Sequence, residues 1–186
     1  MTKQETKMSA LKQYTLPIQG LKNGLHHYKF DVDADFFTHF EGSPIQNGRF
    51  DLAVELDKRD SFFELRFDFE GVTETECDRC TAAINLPFGG SEKLVVKRTQ
   101  EDIEEDVDIV FLSPDAHEFN IAQYVYEFIC LSMPFNKIYD CDNDNPKPCD
   151  TKILALLGFL DAPSVPEEKN DKKNPFDGLK NMFSEN

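Results

Sequence analysis

The chain is short of positive charge: 20 Lys and Arg face 35 Asp and Glu across 186 residues, a net −15. A protein whose main task is to grip nucleic-acid phosphates needs a net supply of cations, so that class is disfavoured. A long apolar run is also missing. No stretch of 18 apolar residues occurs, which excludes a transmembrane helix by sequence. The opening MTKQETKMSALKQYTLPIQG has no continuous apolar segment and does not read as a secretory signal. The expected location is therefore the cytoplasm. Catalytic signatures are scarce as well. The four histidines, His26, His27, His39 and His117, lie in no HExxH and beside no Ser or Cys nucleophile motif. No GxGxxG and no GxxxxGK occurs. The expectation is a protein that is not an enzyme and has no catalytic residues.

What the chain does have is acidity, concentrated in one window. Residues 1–50 carry 6 basic and 5 acidic groups, and residues 51–100 carry 7 and 11. Residues 101–150 carry 2 and 13, or −11, and residues 151–186 carry 5 and 6. The densest run, EDIEEDVD, contains Glu101, Asp102, Glu104, Glu105, Asp106 and Asp108. Such a run is ordinarily a solvated loop held open by self-repulsion. The functional alternative is a docking face for a basic partner, and these six carboxylates are the predicted partner-binding residues.

A core is affordable, because 40% of the residues are hydrophobic and 17 are Phe. The pattern is mainly that of half-buried strands. Phe50, Leu52, Val54 and Leu56 alternate with Asp51, Ala53 and Glu55; Phe63, Leu65, Phe67 and Phe69 alternate with Glu64, Arg66 and Asp68. The short linker 57–61 makes this pair an antiparallel hairpin. Further strands are predicted at 11–18, 24–32, 82–88, 94–99 and 107–112, with Gly89-Gly90 read as the turn between two of them. Asp33 caps a short helix carrying Phe36, Phe37 and Phe40. A second helix follows Asn120 as N-cap, with Gln123 at the capping-box position and Pro134 as its stop. Its apolar face is predicted as Ile121, Tyr124, Val125, Phe128 and Leu131. A third is predicted over 151–159. The fold class is α+β: a mainly antiparallel sheet, with barrel-like curling as the variant, followed by helices and a Cys-bearing loop. Residues 1–10 are predicted flexible, 11–160 a single domain, and 161–186 a flexible tail with an amphipathic segment at 174–183.

The chemistry sits in five cysteines. Cys77 and Cys80 form a CxxC directly after a strand, and Cys141 and Cys149 form a second, wider pair. In a cytoplasmic chain, paired cysteines point to metal before disulfides. Two sulfurs on one tight turn can sit ~3.7 Å apart across a tetrahedral zinc with Zn–S near ~2.3 Å. Four thiolates would make a closed, structural site. A thioredoxin-type CxxC belongs at the start of a helix, which this one does not. The spacing fits no common ferredoxin pattern. A calcium loop through Asp140, Asp142 and Asp144 fails at its sixth position, Asn145, and its twelfth, Thr151. Unpaired thiols without metal are the remaining alternative. Cys130, inside the helical pattern, reads as a small buried thiol.

The order of these features resembles a known family. A β-rich half ends in E-C-D-R-C (Glu76 to Cys80). An acidic stretch, a strand and a helix with Glu127 follow, then L-S-M-P (Leu131 to Pro134), a cysteine-bearing segment, and N-P-F-D-G-L-K (Asn174 to Lys180). Over roughly 11–183 this is similar to the large ribosomal RNA subunit accumulation protein family. The resemblance matches Cys77 and Cys80 to the family CxxC and Cys141 and Cys149 to its later cysteines. It implies a non-enzymatic role in the accumulation of large-subunit ribosomal RNA. The expected partner is a basic ribosomal protein or a large-subunit assembly intermediate, with structural zinc as cofactor. The alternative is an acidic protein-interaction scaffold with a zinc site unrelated to ribosomes.

Overall fold

The polar–apolar alternation becomes a sheet in the computed structural model, which describes residues 11–99, 109–140 and 144–158. The run Glu101 to Asp108, Cys141, and the segments 1–10 and 161–186 lie outside the described residues. Strands β2 (Gly24–Val32), β3 (Gly48–Lys58), β4 (Phe62–Glu76), β5 (Ala83–Arg98) and β6 (Ile109–Leu112) form an open sheet in that order. The first four are antiparallel neighbours, and β6 runs parallel to β5. Strands β1 (Thr15–Pro17) and β7 (Glu118–Asn120) form a separate antiparallel pair. The helices are α1 (Ala34–Thr38), α2 (Ala122–Ser132) and α3 (Thr151–Leu156). Contacts divide the chain into a unit 1–150, which holds both sheets with α1 and α2, and a unit 151–186, whose described part is α3 and the turn after it.

One face of the large sheet is the core. Phe50, Leu52, Val54 and Leu56 from β3 and Phe63, Leu65, Phe67 and Phe69 from β4 are all buried. Val125 and Ile129 of α2, Phe36 and Phe37 of α1, and Tyr14, Leu16 and Ile18 join them in one cluster. Burying a side chain of this kind contributes about 1.5–3 kcal/mol. Aromatic packing ties α2 to the rest of the unit: Phe40, just past α1, stacks on Tyr126 at 3.9 Å, and Phe67 of β4 meets Phe128 edge-on at 5.1 Å. Asp33 caps α1 as predicted, accepting from the Phe36 N–H at 3.2 Å.

Several expectations are corrected. The N-terminal strand is shorter than predicted, because residues Leu11–Tyr14 form a 3-10 turn before β1. Gly89-Gly90 is not a turn. It lies within one 16-residue strand that pairs with β4 throughout. The reason is close approach: a Cβ on Gly89 would lie 2.5 Å from the Phe69 carbonyl oxygen, and one on Gly90 would lie 2.6 Å from Ser132 Oγ of α2. Ile121, not Asn120, takes the N-cap backbone position of α2 and makes no side-chain bond, although the Asn120 side chain still accepts from the first helical N–H, that of Ala122. The Asn120 amide donates to Leu11 O and Thr15 Oγ1, both at 2.9 Å. Gln123 donates to Glu127 rather than back to the cap. Leu131 is 80% exposed and not part of the buried face of α2, which is Ala122, Val125 and Ile129. The helix does stop before Pro134, where Met133 turns extended as a residue before proline must.

Candidate functional site

Cys77 and Cys80 build the connection between β4 and β5. The chain leaves β4 at Glu76, makes one tight turn through Cys77-Asp78-Arg79-Cys80, and enters β5 at Ala83. Two backbone bonds close the turn, Cys77 N–H to Ala82 O at 2.9 Å and Thr81 N–H to Cys77 O at 2.8 Å. Thr81 takes φ of 57° to allow it, a left-handed conformation that is costly for a β-branched residue. Both cysteine side chains are buried.

The Cys77 thiol is held in a nest of donors. Burial pushes its pKa up, but bonds from the backbone N–H groups of Arg79, Cys80 and Tyr139, with the Cys80 side chain, outweigh this and hold it below the ordinary thiol value. Donors aimed at sulfur favour the thiolate, the form that binds metal. Cys130 lies in the opposite environment: it is half-buried, and burial first, with Glu127 adding, pushes its thiol up. That suits the inert role expected for it.

The segment after α2 returns to the same loop. The Asp78 N–H donates to Lys137 O at 3.0 Å, and the Lys137 N–H donates to Asp78 Oδ2 at 2.7 Å. Further along, Arg79 Nη2 lies 4.0 Å from Cys149 Sγ. Cys149 is disulfide-bonded in this structure. Of the four predicted metal-ligating cysteines, the fold therefore brings Cys77 and Cys80 together and sets Cys149 at the side of their loop, across Arg79. No group of three or more His, Cys, Asp or Glu placed to hold a metal occurs among the described residues. The sequence reading missed Asp78, Arg79 and Tyr139, which make the loop's contacts. Their signal was slight: two charged residues inside the CxxC.

The described residues thus define an α+β protein with an open mixed sheet and a two-cysteine loop at one end of its longest hairpin, docked on the segment that leaves α2. The family model described as large ribosomal RNA subunit accumulation protein YceD matches residues 65–183, more than half of the chain, and the chain belongs to that family. The match begins inside β4 and takes in the cysteine loop, α2 and Cys149. No curated protein and no solved structure matches the chain. No helix among the described residues is long and apolar enough to cross a membrane.

Proposed function

We propose that this protein is a non-enzymatic cytoplasmic factor that supports accumulation of large-subunit ribosomal RNA by binding a basic ribosomal protein or an assembly intermediate that carries one. The observation that carries this reading is the charge, −15 overall with −11 in residues 101–150, in a member of this family. Ribosomal RNA is itself a polyanion and is repelled by such a chain. A basic ribosomal protein is attracted, and binding shields it until RNA takes it over. Glu101, Asp102, Glu104, Glu105, Asp106 and Asp108 are the proposed contact residues. The test is the ratio of large- to small-subunit ribosomal RNA in cells depleted of the protein. A fall, restored by the wild-type chain and not by a chain with these six neutralised to Gln and Asn, supports the reading. An unchanged ratio on depletion rejects it.

Zinc is the proposed structural cofactor, on Cys77, Cys80, Cys141 and Cys149. The nest of N–H donors around Cys77 supports a thiolate there, and a cysteine-only set is closed rather than catalytic. Cys149 must be a free thiol to join it. The test is the zinc content of protein purified under reduction. One zinc per chain, lost in Cys77→Ser and in Cys149→Ser, supports the set; unchanged content in either variant rejects it.

A further inference from the structure

The outer face of the large sheet is divided in two. In one half the polar side chains have partners across strands. His27, Glu55, Arg66 and Lys93 stand in register, with His27 Nδ1 3.4 Å and Arg66 Nη1 3.8 Å from Glu55, and Lys93 Nζ 3.6 Å from Glu64. In the other half the register sets Asp31 opposite Asp51 and Asp51 opposite Glu70, with Asp68 one row away. None of these four carboxylates forms an ion pair among the described residues. They line a concavity of about 500 Å³, in which Lys29 is the single cation. A second hollow of about 680 Å³ shares Asp51 and Glu70 with the first and continues over Val72, Pro87 and Gly89. Gly89, directly opposite Glu70, adds no side chain to that end of the row. The result is a trough across β2, β3, β4 and β5, acidic at one end and lined by small or apolar residues at the other.

We infer that this trough docks an extended, Arg- or Lys-bearing segment of a protein partner. The inference rests on the basic-partner reading above and gives it a second surface, separate from residues 101–108. Like charges directly opposite on neighbouring strands oppose folding, and the neighbouring half of the same face shows how pairing relieves them. Here Lys29 in the hollow and exposed Arg49, opposite Val72 one row away, are the neighbouring cations, and neither forms an ion pair with these carboxylates among the described residues. Four strands at roughly 4.8 Å spacing span about 14 Å, the length of four extended residues. An extended segment with a basic residue at every second position sets its cations about 7 Å apart over the carboxylate row. Its intervening residues point away from the sheet, so small ones suffice there. Phosphate backbones are repelled by the same row.

The experiment uses the full chain and a fluorescein-labelled peptide of four Arg-Ser repeats, with four Glu-Ser repeats as the control, followed by anisotropy at low and physiological salt. Three variants are compared: Asp51→Asn with Glu70→Gln in the trough; Glu41→Gln with Glu118→Gln, both exposed and elsewhere; and the six-residue neutralisation of 101–108. The trough variant is expected to weaken binding about tenfold or more, and the Glu41/Glu118 variant to stay within about twofold of wild type. Near-UV circular dichroism confirms that each is folded. Equal weakening by the trough and Glu41/Glu118 variants overturns the inference, because it reports net charge alone. Loss only in the 101–108 variant overturns it too, while leaving the basic-partner reading standing. A wild-type chain that ignores the basic peptide overturns both.

Discussion

Asp78 and Lys137 hold each other by a reciprocal pair of bonds, the Asp78 N–H to the Lys137 carbonyl and the Lys137 N–H to the Asp78 carboxylate. They are 59 residues apart in sequence, yet this pair fastens the exit of α2 to the cysteine loop. Asp78→Ala removes the carboxylate acceptor and leaves a half-buried N–H without its partner. The loss is expected to be about 1–2 kcal/mol, at the lower end for a charged acceptor because Asp78 is exposed. Urea denaturation measures it. Hydrogen exchange should show faster exchange of the Lys137 amide in the variant, and Asp78→Asn, which keeps an acceptor, should recover part of both effects.

The glycines of the long strands give a second prediction, with a ranking. A Cβ at Gly71 would lie 2.1 Å from the Arg49 carbonyl oxygen and 2.7 Å from Phe50 Cα, both backbone atoms of the paired strand. At Gly90 the obstacles are side-chain atoms, Ser132 Oγ at 2.6 Å and Phe69 Cζ at 2.9 Å. Side chains yield more readily than a hydrogen-bonded strand. Gly71→Ala is therefore expected to cost about 3 kcal/mol or more, and Gly90→Ala about 1–2 kcal/mol. Adding Ser132→Gly to Gly90→Ala should recover part of the smaller loss, and a double-mutant cycle in urea measures the coupling. Equal costs at the two glycines would contradict the packing described.

Those glycines also show where the sequence stopped being readable. Period-2 alternation is local, so the middle of β3 (50–56) and the first half of β4 (63–70) were legible, and so was their hairpin, while the extension of β4 to Glu76 was not. Gly89-Gly90 carries the same two letters in a turn as in a strand crowded by another element. Only the position of Ser132, 42 residues onward, distinguishes the cases. The parallel pairing of β6 was illegible for the same reason, since strand order is set by tertiary contact. Asn120 had the right side chain for a helix cap, and its oxygen does accept from the Ala122 N–H, but the two acceptors that its amide finds at the β1–β7 corner had no local signal. At the site, CxxC spacing found Cys77 and Cys80. The contact between Arg79 and Cys149 joins residues 70 apart and leaves no local trace.

Tyr14 supplies a pH prediction. Its hydroxyl donates to the Asp31 carbonyl at 3.0 Å, and its ring lies in the core. Burial, with a smaller push from Asp33 and Asp31, raises its pKa from 10.0 to about 12. The folded chain thus keeps a proton that the unfolded chain releases near pH 10. The stability this contributes is fully present below pH 10 and is lost as pH rises through about 12, up to about 2 kcal/mol. Tyr14→Phe should unfold more easily at pH 7, by about 1 kcal/mol for the lost hydrogen bond. It should also show a shallower fall in stability between pH 10 and 12. Parallel urea titrations of the two proteins across that range check the sign.

The carboxylate row on the outer sheet face makes stability and docking run in opposite directions. Asp51 has an acidic neighbour on both sides, Asp31 on β2 and Glu70 on β4. All three are exposed, so each repulsion is screened but not removed. Asp51→Asn keeps the shape and deletes both repulsions at once. It is expected to stabilise the fold by about 0.2–1 kcal/mol, the range for cross-strand charge pairs, with the gain shrinking as salt is added. Thermal melts at low and high salt measure this directly. Asp57→Asn on the same strand is the comparison: Asp57 also stands opposite an acid, Glu64, but it pairs with Arg59 at 2.7 Å, so its substitution loses that pair along with the repulsion and should be neutral or mildly destabilising. If Asp51→Asn also weakens binding of the basic peptide, one residue will have been shown to oppose folding and to favour the partner. That combination is what separates a docking surface from an acidic face kept only for solvation.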